Sequence, residues 1–134
     1  MNKQEIIDIL SDSSKNDWLF KEADKIRHEN VGDEVHLRAL IEFSNICKRQ
    51  CLYCGLRSLN KEVERYRLSK EEILILAKKA VNLGYRTIVL QSGEDDNYYS
   101  DKLCDIIKSI KELDVALTLS IGEKTYDEYK AYRE

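Results

Sequence analysis

Cys47, Cys51 and Cys54 stand within eight residues, in the string Cys47-Lys48-Arg49-Gln50-Cys51-Leu52-Tyr53-Cys54. The spacing is C-x3-C-x2-C, with no fourth ligand nearby. A structural zinc site closes with four ligands, and an ordinary four-iron cluster takes four thiolates. Three thiolates in one short loop can hold three irons of a cubane and leave the fourth iron open for chemistry. Two other readings stay open: zinc, or three buried structural thiols. Closing a zinc tetrahedron would call on Cys104, His28 or His36, all distant in sequence. Cys104, close to Ile106 and Ile107, reads as a small, half-buried helix residue.

These residues must be positioned by a chain of 134 residues, 43% hydrophobic and 35% charged. That is room for one packed domain, and too little for an eight-unit barrel. The net charge is −3, with both signs interspersed, so neither a nucleic-acid nor a membrane surface is expected. Residues 1–10 lack the basic start and apolar core of a signal peptide, and no stretch is apolar for long enough to span a bilayer. A cytoplasmic location is expected, where clustered cysteines serve metals more often than disulfides. Proline is absent and glycine scarce, so no flexible linker is expected.

Periodicity predicts helices over 3–10 and 15–29, the second with an apolar stripe of Trp18, Leu19, Ala23 and Ile26. A turn at 30–33 precedes an alternating strand over 35–44. The cysteines follow directly. Ser69 and Glu72 form a capping box for a helix over 69–83, which buries Ile73, Leu76, Ala77, Ala80 and Val81 and closes at Gly84. Thr87-Ile88-Val89-Leu90 is an apolar run, expected as a strand covered on both faces. Leu103, Ile106, Ile107, Ile110 and Leu113 mark the next helix, and 115–119 the third strand. Thr125 and Glu128 cap a last helix. The fold class expected is α/β: a partial TIM-type barrel of three parallel βα units over 35–134, preceded by a helical segment over 1–34. Functional groups collect where such strands end, here loops 45–58, 91–97 and 120–124.

The cysteine loop, with the aromatic Tyr53 before its third cysteine, resembles the signature of the radical S-adenosylmethionine enzymes. Ile41-Glu42-Phe43-Ser44-Asn45, Cys54-Gly55-Leu56-Arg57, Arg65-Tyr66-Arg67-Leu68, Val89-Leu90-Gln91-Ser92-Gly93-Glu94 and Thr118-Leu119-Ser120-Ile121-Gly122-Glu123 are similar to the biotin-synthase-like group. Within it they most resemble the branch that matures iron-only hydrogenases. The resemblance implies a 4Fe-4S cluster on Cys47, Cys51 and Cys54, and S-adenosyl-L-methionine on its open iron, cleaved to a 5′-deoxyadenosyl radical that attacks a small-molecule substrate. It also implies cofactor contacts from Ser92, Gly93 and Glu94 at the second strand end, and from Ser120 and Glu123 at the third. Tyr53 is expected to shield the cluster or stack near adenine. Lys48 and Arg49 are expected to offset cluster charge. Arg57, Arg65, Tyr66 and Arg67 read either as a carboxylate-binding stretch or as a solvated loop.

Members of that family are more than twice as long. The sequence is therefore expected to correspond to an N-terminal half, whose activity alone is open. Its inner sheet face, expected to carry Ile41, Phe43, Val89, Leu117 and Leu119, would be covered by a polypeptide supplying the remaining strands, or by self-association. Two further readings accompany this one: another biotin-synthase-like enzyme, and a non-catalytic iron–sulfur or zinc-binding remnant.

Overall fold

A computed structural model describes residues 1–97 and 100–134. The chain divides into two units, Met1–His36 and Leu37–Glu134.

The first unit is helical. Helix α1, Lys3–Leu10, starts at a capping box in which the Asn2 side chain takes the Glu5 N–H and Glu5 returns to the Asn2 N–H. The 3-10 turn Ser13–Lys15 leads into α2, Asn16–Val31. That helix overruns the predicted end at 29 and stops at Gly32, whose φ of +77° is the left-handed geometry glycine tolerates. Arg27 holds the turn by pairing with Asp24 and Asp33 at 2.9 and 2.8 Å. The predicted stripe does not become a core: α2 buries no residue, and Trp18 and Ile26 stay exposed.

The second unit runs β1 (Ala39–Ser44), α3 (Lys70–Asn82), β2 (Thr87–Ser92), α4 (Ser100–Lys111), β3 (Ala116–Ser120) and α5 (Tyr126–Arg133). The three strands form one parallel sheet in the order β1-β2-β3, as expected of consecutive βα units. Both predicted capping boxes are present, at Ser69 with Glu72 and at Thr125 with Glu128. Strand β1 begins four residues later than its alternation suggested. Ala39 pairs with Ile88 near the start of β2, where the described ladder begins, and Val35 and Leu37 are exposed.

The register corrects the assignment of faces. Ile41 pairs with Leu90 and Leu90 with Leu119, whereas Leu40 pairs with Val89 and Val89 with Thr118. Side chains alternate along a strand, so Ile41, Phe43, Ile88, Leu90, Leu117 and Leu119 share the helix-covered face. They pack there with Ile73, Ala77, Leu103, Ile106 and Ile110. The other face carries Leu40, Glu42, Val89, Gln91, Thr118 and Ser120, so of the five residues expected on it only Val89 is there. The β2 run is covered on that one face: Ile88 and Leu90 are buried, while Val89 is half-buried.

Candidate functional site

All three strands point their C-terminal ends the same way, so the segments after Ser44, Ser92 and Ser120 meet at one end of the sheet. Backbone bonds bind the first two together. The Gly93 N–H donates to Ser44 O at 3.0 Å, and the Lys48 N–H to Glu94 O at 3.0 Å. Gly93 is the seam. A Cβ there would lie 2.2 Å from Ile46 O and 2.8 Å from Cys47 Cβ. The close approach that only glycine permits is made by the cysteine loop itself. Gly122, at φ +79°, similarly leaves room for the Glu94 side chain, 3.1 Å from where its Cβ would stand.

The loop has its own internal frame. The Cys54 N–H donates to Cys51 O at 3.0 Å, and the Ser58 N–H to Arg49 O at 2.8 Å. All three thiols are free and partly exposed. Among the described residues, no three His, Cys, Asp or Glu side chains are gathered as a metal-binding group. Each iron of a cubane takes its own thiolate. Three partly exposed thiols in one loop are a donor set of the kind a cluster takes, one thiolate to each of three irons. Tyr53 stands at the loop's tip, 93% exposed beside the equally exposed Leu52.

Charge knits the three ends together. Arg49 donates through Nε and Nη2 to Glu94 at 2.6 and 3.0 Å, and through Nη2 to Glu123 as well. Lys48 pairs with Asp96 at 2.7 Å. The hydrogen bonds from Arg49 hold the Glu94 carboxyl below its usual range, while those with Glu94 raise Arg49. The two cations inside the cysteine motif thus face carboxylates at the ends of β2 and β3. Glu94 is nearly covered, at 10% exposure, and Glu123 is open at 83%. A cleft of about 430 Å³ runs between them, lined also by Lys48, Lys124 and Glu128. Ser92 turns its hydroxyl onto Gly93 O at 2.8 Å. Ser120 is exposed on the open sheet face, in register with Gln91 and, through it, with Glu42. A larger cavity, about 610 Å³, lies between α4, β3 and α5, away from the cysteines.

Beneath the site lies a network the motifs did not indicate. Asp95 is buried. It accepts the Ser44 hydroxyl at 2.6 Å, Arg67 Nε at 2.6 Å and Nη2 at 2.8 Å, and the Asn97 N–H at 3.0 Å. Burial pushes this carboxyl up, but the guanidinium and the other donors outweigh it and hold it at about 2. In the stretch expected either to hold a ligand carboxylate or to lie solvated, Tyr66 and Arg67 are exposed and all four side chains bond within the chain. Arg67 binds Asp95, Arg65 donates to backbone carbonyls, Arg57 donates to Cys54 O at 3.1 Å, and the Tyr66 hydroxyl to Glu42 O at 3.0 Å.

A family model described as the radical SAM superfamily matches residues 41–133. The chain is 54% identical over 125 residues to the FeFe hydrogenase maturase subunit HydE of Thermotoga maritima, covering 93% of this chain and 36% of that one. It is 37% identical over 107 residues to the 3-methylornithine synthase of Methanosarcina acetivorans, covering 78% and 30%. The chain thus spans about a third of the length of these relatives. Among solved structures, that of methylornithine synthase PylB superposes with a TM-score of 0.85 at 28% identity, over 98% of this chain and 40% of the other. The hydrogenase maturase HydG superposes at 0.80 and 26%, over 91% and 28%. The three βα units match part of these TIM-barrel enzymes.

Proposed function

The chain belongs to the radical SAM superfamily, and on that premise we propose that it carries the cluster-binding end of a hydrogenase-maturation enzyme. Cys47, Cys51 and Cys54 would hold a 4Fe-4S cluster. When bound, cluster and S-adenosylmethionine together supply a carbon radical that abstracts hydrogen from a small substrate. The protein's share is position and charge. Glu94 and Glu123 offer carboxylates to the cationic groups of the cofactor, and Arg49 fills that place between them. Ser92 and Ser120 supply hydroxyls at the same end of the sheet, from opposite faces. Gly93 acts through the loop, by letting Cys47 lie against the end of β2. Tyr53, almost fully exposed at the tip, is available to cover whatever the loop holds. One observation carries this reading: a three-thiol loop, tied by backbone bonds and by Arg49 to two strand-end carboxylates.

The test is turnover by the anaerobically reconstituted, reduced chain. Methionine and 5′-deoxyadenosine should appear in equal amounts, and Glu94→Gln should weaken S-adenosylmethionine binding by roughly tenfold, as for loss of a charge-assisted contact. Iron uptake with neither binding nor turnover would leave an electron-transfer or structural iron site instead. A second reading, an enzyme acting on an amino acid substrate, draws on the likeness to methylornithine synthase. Hydrogen transfer from a deuterated amino acid into 5′-deoxyadenosine would favour it. The open face around Leu40 and Val89 is also suited to a second polypeptide bearing further strands, or to a second copy. Sedimentation above the monomer mass is the expected result, and a monodisperse monomer would contradict it.

A further inference from the structure

We infer that Arg65 sets the shape of the cysteine loop from inside, ahead of anything the loop binds; the inference rests on reading that loop as the cluster site. Its Nη1 donates to Asn45 O at 2.6 Å and to Leu56 O at 2.9 Å. Its Nη2 donates to Arg57 O at 2.9 Å and to Asn60 O at 3.1 Å. Asn45 lies just before Cys47, and Leu56 just after Cys54. One nitrogen therefore ties together the two limbs that enclose all three thiols.

The guanidinium is delivered from a fixed base. Leu68 N–H bonds Phe43 O at 2.8 Å, and Arg67 forms an antiparallel bridge with Ser44, so the chain returns along the outer edge of β1. Asn45 locks the same segment from the other side. Its amide donates to Glu64 O at 2.7 Å and accepts the Tyr66 N–H at 2.8 Å. Rigidity passes from the sheet to this edge segment, to Arg65, and so to the thiols. Apolar burial does not do this work, since Leu52 and Tyr53 at the tip are solvated. A lysine would not substitute: its single ammonium is a point charge with three donors, while the planar fork spreads its donors across two limbs. Arg65 touches no thiol and is a positioning residue.

The full chain supplies its own control, because Cys104 lies on α4 with its thiol on Ala131 O, outside the loop. In metal-free Arg65→Lys, alkylation of Cys47, Cys51 and Cys54, followed by peptide mass spectrometry, should speed up about five- to tenfold, with Cys104 changing less than about twofold. After reconstitution to equal iron content, the reduced cluster's paramagnetic resonance line shape should differ from wild type. Unchanged loop rates with an unchanged line shape overturn the inference, and so does an acceleration shared equally by Cys104. The wild-type protein gives a reading that needs no variant. In the metal-free state the Cys54 and Ser58 amides should exchange at least about tenfold slower than an unstructured loop, and free exchange there overturns the inference. If wild type takes up no iron while Arg65→Lys still frees the three thiols, the cluster reading fails and the positioning role stands.

Discussion

Asp95 sets the strongest constraint at the scale of single residues. Replacing it by alanine leaves Arg67 and the Ser44 hydroxyl without their shared acceptor. Discounted for the partial exposure of Arg67, the cost should be on the order of 2–3 kcal/mol, seen as a lower melting temperature. A melting temperature within error of wild type would remove Asp95 from the account. Its titration gives a second check. The carboxyl is depressed in the fold, from 3.8 to about 2, so its stabilisation is present above about pH 4 and disappears as pH falls toward 2. Wild type should therefore lose stability more steeply than Asp95→Ala across that window. Gly93→Ala makes the other residue-scale test. Its Cβ would strike backbone at Ile46, which cannot swing aside as a long side chain can. A loss of roughly 1–3 kcal/mol is expected, together with weaker iron uptake. The cysteines were legible in sequence because their spacing is itself the signal. Asp95 was not: it reads as one more acid beside Glu94, and its burial comes from Ser44 and Arg67, far away along the chain.

At the scale of elements, the capped helix starts were legible and the phase of the strands was not. Ser69 with Glu72, and Thr125 with Glu128, announce their helices because both halves of a capping box are local. The β2 run Ile88-Val89-Leu90 is apolar at every position, so nothing local says which residues face the helices. Pairing with β1 and β3 decides it. The consequence is measurable: Leu90→Ala, in the core, should cost about 2–5 kcal/mol in denaturant unfolding, whereas Val89→Thr on the open face should cost less than about 1 kcal/mol. Equal costs would reverse the assignment of faces. The start of β1 was misplaced for a related reason. Alternation at Val35 and Leu37 is a genuine strand pattern, but a strand exists only where a neighbour supplies hydrogen bonds.

For the molecule as a whole, the sequence rhythm of βα units carried the architecture, and the site followed from it, because parallel strands deliver their C-terminal loops to one end. The ionic links that close this site were beyond sequence reading. Arg49, Glu94 and Glu123 are brought together by three separate strand ends, and each looks like an ordinary charged residue within its own segment. The central claim is that the loop, and not the fourth cysteine, holds the metal. The most direct measurement is iron and acid-labile sulfide per chain after anaerobic reconstitution of Cys51→Ser and Cys104→Ser beside wild type. The account predicts about four of each for wild type and for Cys104→Ser, and loss of the cluster in Cys51→Ser. Full loading of Cys51→Ser, or zinc at one per chain lost with Cys104, would contradict it.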